Sequence, residues 1–196
     1  MQALIDHARS FHHHAAERRE EFSRLADGQR PQALFITCSD SRVIPSMITG
    51  ARPGELFELR TAGQSVPPYR ALRPSGEAAT IEYAVQVLGI RDIVVCGHSH
   101  CGAVRARIDG TPLGHAPAVR DWLRRAVQPG LPDRGDPHLA EAVQRHVLTQ
   151  LDKLRRYPCI RARAGNGELR LHGWFYDLPT GRVLAHQPRP DSFLPL

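Results

Sequence analysis

Two short apolar runs constrain this 196-residue chain more than any other feature: ALFIT at 33–37 and DIVVC at 92–96. Both are rich in β-branched and other apolar side chains and are bounded by turn formers, the pattern of a strand buried on both faces. Such strands belong to parallel sheets covered by helices. Chemistry-bearing residues follow each run at once: Cys38, Asp40 and Arg42 in CSDSR, and His98, His100 and Cys101 in GHSHC. Ligands of open parallel sheets collect outside the carboxyl ends of the strands. If the two runs are neighbours, both segments open onto one crevice.

The rest of the chain agrees with such a sheet. Apolar residues at helical spacing predict a helix over 1–27, stopped at Asp27-Gly28. ELFELR (55–60) reads as a second strand, and Ser75 caps a helix running to about Leu88. Further helices are expected from near Cys101, over about 116–127, and over about 137–157, where Pro158 intervenes. ELRLHGWFYD (168–177) and RVLAH (182–186) read as strands around the turn Pro179-Thr180-Gly181. The loop over 129–136, with two prolines and two glycines, is too short for a domain linker. The expected fold is α/β: a mostly parallel β-sheet flanked by helices, one domain over 1–196, with 1–27 as a projecting N-terminal helical arm.

Composition excludes several classes of function. The net charge of +6 rests almost wholly on arginine, Lys153 being the only lysine. The arginines stand singly or in pairs among acids without an aromatic-laced basic strip, which argues against nucleic acid. No run approaches the roughly 20 apolar residues of a membrane span. The start, MQALIDHARSFHHH, lacks the basic-then-apolar order of a secretory signal, so a cytoplasmic location is expected. Thiols stay reduced there, and four cysteines then point to a metal or to catalysis before disulfides. His12, His13 and His14 fan out over about 200° of a helix and cannot chelate together. Trp122 and Trp174 read as packing residues.

His98 and Cys101 are three apart, a spacing that puts two side chains on one side of a first helical turn, with His100 pointing elsewhere. Joined to Cys38 at the other strand end, they make two thiolates and an imidazole. Three protein donors with an open position is the arrangement of catalytic zinc, whereas structural zinc is closed by four. Cys96 reads as a core residue, and Cys159 is far away in sequence. Asp40 has two options: to be a conditional fourth ligand, or to pair with Arg42 in a bidentate contact that draws it off the metal. In the second case water takes the fourth position. Zinc lowers the pKa of bound water from 15.7 to about 7, and Asp40 can orient the resulting hydroxide.

C-x-D-x-R and H-x-x-C at two strand ends together resemble the signature segments of the β-class carbonic anhydrases, here CSDSRV (38–43) and GHSHCGAV (97–104). The similarity extends through PGELFELRTAG (53–63), IEYAV (81–85), APAVRDWL (116–123) and LHGWFYD (171–177), and is strongest to the plant-type subgroup and its bacterial relatives. The resemblance implies zinc, one ion per subunit, on Cys38, His98 and Cys101, and an Asp40–Arg42 catalytic dyad. It implies Gln29 as a substrate hydrogen-bond donor, and Phe57 and Tyr83 lining an apolar pocket supplied in part by a partner subunit. The implied reaction is reversible hydration of carbon dioxide to bicarbonate and a proton by zinc-bound hydroxide. Some members close the zinc with the aspartate and bind bicarbonate beside a tryptophan. Phe35 stands at that position, so no such regulatory site is expected, although Arg60 and Tyr176 are retained. Thr61, Gln64 and His100 depart from the usual pattern. Two other readings use the same residues: hydrolysis of carbonyl sulfide or carbon disulfide, and a zinc-binding interaction module without turnover. The apolar stripe of the N-terminal helix and the borrowed pocket point to self-association as a dimer or larger.

Overall fold

The computed structural model describes residues 1–127 and 136–196. Its centre is a six-stranded sheet of β1 (Ala33–Cys38), β2 (Leu56–Thr61), β3 (Asp92–His98), β4 (Arg170–Tyr176), β5 (Val183–Gln187) and β6 (Ser192–Pro195), in the order β2-β1-β3-β4-β5-β6. The first four strands are parallel, and β5 and β6 are added antiparallel at one edge. The two apolar runs are indeed neighbours. Leu34, Ile36, Ile93 and Val95 are buried within one core cluster, and Phe35, Val94 and Cys96 within another. Thr37 pairs with Cys96, so Cys38 and His98 leave the sheet side by side at its carboxyl edge.

Helices cover the sheet, and here the expectations needed correcting. The single helix over 1–27 is two, α1 (Gln2–Glu17) and α2 (Arg19–Ala26), because Arg18 leaves helical geometry at φ −116°, ψ 35°. Neither contains a buried residue. Phe11 meets Phe22 edge to face across the break, while Leu4 stays exposed. A short helix, α3 (Pro45–Thr49), was not anticipated, although Pro45 in its first turn and left-handed Gly50 at its end are regular helix punctuation. Ser75 caps α4 (Gly76–Glu82) as expected, its Oγ accepting from the Ala78 N–H. That helix then widens into a π-helical segment over Tyr83–Val87.

Beyond β3 come α5 (Gly102–Ile108), α6 (Pro117–Ala126), α7 (Asp136–Arg155) and α8 (Pro158–Gly165). Pro158 therefore opens a helix as well as following one, since its missing N–H costs nothing in a first turn. The loop expected over 129–136 lies, up to its last residue, outside the described residues. The last strand, β6, was also unforeseen; it is four residues long. Among the described residues, no helix is long and apolar enough to cross a membrane.

Helix α7 lies close against the sheet through Val143, Val147, Leu151 and Leu154, all buried. Glycines permit that approach. A Cβ placed on Gly97 would stand 2.6 Å from Val143 Cγ1 and 2.8 Å from Val147 Cγ2, distances that packed atoms do not adopt. One on Gly173, on the neighbouring strand, would meet Leu151 and Val147 at 3.2 Å. The close seat brings the polar residues of α7 within reach of the loop after β2, beside Cys38.

Candidate metal centre

Cys38 ends β1, His98 ends β3, and Cys101 is the N-cap of α5. Their ligand atoms lie within 4.8 Å of one another and all three residues are buried. The expected reason for the His98–Cys101 pairing was wrong in detail. The two do not share a helical turn. His100 between them adopts φ 55°, and this left-handed residue reverses the chain so that Cys101 returns towards His98.

The donors fit a tetrahedral ion. Bonds of about 2.3 Å to sulfur and 2.0 Å to nitrogen place such donors roughly 3.5–3.8 Å apart, inside the observed limit. His98 Nδ1 lies 2.8 Å from the Ser99 carbonyl oxygen, which can only accept, so Nδ1 carries the proton and Nε2 holds a free lone pair. Nε2 is buried and has no hydrogen-bond partner. A buried acceptor left this way is costly unless an ion completes it.

The sulfurs divide their roles without an ion. The Cys101 thiol donates to Cys38, holding Cys38 well below an ordinary thiol against the opposing effect of burial. The N–H groups of Gly63 and Asp40 assist. The same contact, with burial, pushes Cys101 up. Cys96 is fully buried in the core, where desolvation pushes its thiol up to about 12. Cys159 packs in the main core cluster, away from the centre.

Of the two options open to Asp40, the structure displays the ion pair. Arg42 grips it in a fork, Nε to Oδ1 at 2.9 Å and Nη2 to Oδ2 at 2.7 Å, with the Arg42 N–H on Oδ1 at 3.0 Å. Arg42 Nη2 also reaches the carbonyl that left-handed His100 presents, at 3.2 Å. This grip holds the Asp40 carboxyl well below the usual carboxylate range. Asp40 Oδ2 is 4.0 Å from His98 Nε2, so it borders the donors without joining them.

Gln29, Phe57 and Tyr83 are not brought to this cluster. Phe57 pairs with Leu34, four residues upstream of Cys38, which is about 13 Å along a strand. Tyr83 stacks on Phe57 with ring centroids 6.0 Å apart and remains 44% exposed. Gln29 is exposed and precedes Gln32, whose N–H bonds to Glu55 O beside the start of β2. All three lie towards the amino end of β1 and β2.

Other residues also bear on the centre, and of these the sequence had not singled out His146 and Gln150. Arg60 donates to the carbonyls of Cys38, Asp40 and Val43 at 2.7–3.1 Å and so ties the CSDSR loop in place. Phe35, where the regulatory tryptophan would stand, is buried edge to face on Trp174. The loop after β2 is closed by Thr61 Oγ1 on Ser65 O at 3.0 Å and by Gln64 at φ 45°. Buried His146 of α7 supports this loop, with Nε2 2.8 Å from Gly63 O and Nδ1 3.1 Å from Gln150 Nε2. Gln150 Oε1 accepts in turn from the Val66 N–H and from Lys153.

Burial pushes His146 down to about 4. The folded chain thus refuses a proton that the unfolded chain accepts below about pH 6.5. The stability contribution is complete above about pH 6.5 and is lost as pH falls towards 4, by about 3 kcal/mol in all. The expected result is a thermal midpoint that drops more steeply between pH 7 and 4.5 in the wild type than in His146→Gln. Parallel curves would contradict it.

An α/β sheet whose carboxyl edge gathers two sulfurs and an imidazole beside an Asp–Arg pair defines a class of proteins with three buried donors that could hold a metal ion. Comparison with known proteins narrows that class. The carbonic anhydrase family model matches residues 33–183. A carbonic anhydrase of Pseudomonas aeruginosa is 44% identical, with 100% of this chain and 92% of that protein covered. The solved structure of the β-carbonic anhydrase CcaA superposes with a TM-score of 0.91 at 38% identity, covering 100% of this chain and 99% of that one. A tetrameric β-carbonic anhydrase of Sordaria macrospora gives 0.77 at 28% identity, covering 94% of both chains. This chain belongs to the carbonic anhydrase family, in its β class, and is an enzyme.

Proposed function

We propose that the enzyme hydrates carbon dioxide reversibly to bicarbonate and a proton, with one zinc ion per subunit on Cys38, His98 and Cys101. The observation that carries this reading is a buried three-donor set whose nearest carboxylate, Asp40, is held aside by Arg42. Zinc bound there supplies Lewis acidity sufficient to make water a nucleophile near neutral pH. Asp40 orients that water. Because Arg42 keeps it ionised, it accepts a hydrogen bond without retaining the proton, and so fixes the direction of a lone pair. Arg42 acts through Asp40, and the His100 carbonyl anchors Arg42.

Gln29, Phe57 and Tyr83 complete the site from a second copy of the chain. Their position towards the amino end of the sheet, away from their own Cys38, supports an exchange in which each subunit supplies a partly exposed aromatic pair to its neighbour. An apolar wall suits a small apolar substrate and excludes competing water. The exposed apolar residues of α1, Leu4 and Phe11, provide further surface for self-association. The four cysteines are free thiols, in keeping with a reducing cytoplasm.

Metal analysis and carbon dioxide hydration measured on one purified sample test the proposal. Activity should rise with pH as the nucleophilic water loses its proton. A rate that is flat between about pH 6 and 9, or full activity after the metal is chelated, would count against it.

A further inference from the structure

The Gly63 N–H donates to Cys38 Sγ at 3.4 Å, a distance suited to a bond to sulfur. This N–H belongs to the peptide unit whose carbonyl is Ala62 O. Trp122 on α6 donates its indole N–H to that oxygen at 2.9 Å. Three groups therefore stand in series: indole N–H, the Ala62–Gly63 peptide, and the sulfur. Hydrogen bonds in series polarise one another, so a donor on the carbonyl makes the same peptide a stronger donor at its N–H. The next carbonyl, Gly63 O, accepts from His146 Nε2 at 2.8 Å and from Ser65 Oγ at 3.2 Å. His146 cannot act by polarisation, because that carbonyl lies in a different peptide unit from the N–H that meets sulfur. It can only hold Gly63 in place. Gly63 sits at φ 75°, a conformation most residues avoid, and a Cβ there would press on Ala103 at 3.3 Å.

We propose that the Ala62–Gly63 peptide is a hydrogen-bonding arm to the metal-ligating thiolate of Cys38, and that Trp122 and His146 are its positioning residues. Trp122 strengthens the arm in line, and His146, braced by Gln150, fixes its angle. Two helices distant in sequence thereby adjust the electron density of one sulfur. Outer partners of this kind change metal affinity by about 10–100-fold when lost. Hydrogen bonds to sulfur also set how readily it gives up electron density.

The inference rests on Cys38 being a metal ligand, and cobalt(II) substitution separates the two claims. Wild-type protein loaded with cobalt should show a sulfur-to-metal charge-transfer band. Trp122→Phe keeps an aromatic ring and loses the donor. It should move that band to longer wavelength and weaken zinc binding, measured by chelator competition, by about 10-fold. His146→Leu should move both readouts the same way. His146→Gln keeps an N–H donor at a similar reach and should return them towards wild type. A correctly folded Trp122→Phe with the wild-type band and affinity would overturn the arm. If Trp122→Phe does not fold, equal behaviour of His146→Leu and His146→Gln would overturn it instead. Absence of the band in the wild type would overturn the ligand assignment, and the arm with it.

Discussion

Replacing His98 by alanine should leave a protein that retains no metal and hydrates no carbon dioxide. Nε2 of His98 is the one nitrogen donor of the buried set and has no hydrogen-bond partner in the protein. Its loss leaves two sulfurs, one of them hydrogen-bonded to the other, and no nitrogen donor, while Asp40 is held aside by Arg42. Loss of an outer partner costs about 10–100-fold in affinity, so loss of a direct donor should exceed about 100-fold. Cys38→Ala should behave alike. Metal content by atomic absorption, read beside stopped-flow hydration, checks both variants. A stoichiometric metal content with normal turnover in either would refute the assignment.

Arg42→Ala should have the opposite profile on metal, leaving the content unchanged while turnover falls by about 100-fold or more, the usual range for a positioned proton-handling group. Arg42 makes three bonds to Asp40 and one to the His100 carbonyl. Two of the three bonds to Asp40 come from the guanidinium and are lost with it. Asp40 then keeps only the backbone N–H of residue 42 to hold it aside. It stands 4.0 Å from His98 Nε2, within a short rotation of the donors, and becomes free to serve as the conditional fourth ligand. Closure of the centre by Asp40 would appear as a changed cobalt(II) spectrum in the variant. Turnover within a few-fold of wild type would show that the ion pair only stabilises a turn.

The two signature segments were legible because cysteine, histidine and an Asp-x-Arg pair are conspicuous at the ends of apolar strands. Their meeting required only that β1 and β3 be neighbours. The path was less legible: the spacing of His98 and Cys101 read as a helical turn, whereas a left-handed His100 makes the reversal. Trp122 was read as packing, and its indole N–H proves to bind Ala62 O, 60 residues away. The polar positions 146, 150 and 153 interrupt the apolar stripe Val143, Val147, Leu151 and Leu154 at helical spacing. That interruption was the available signal for a buried network.

The sequence by itself determined the donor types and the strands that carry them, because residue chemistry and period-two or helical patterning are local properties. Tertiary structure alone decided which backbone carbonyls Arg60, Trp122 and His146 bind, and that Phe57 and Tyr83 lie away from their own Cys38. Every residue offers the same peptide oxygen, so no side-chain pattern marks which one a distant donor will meet. Only the packing of α6 and α7 against the sheet selects it.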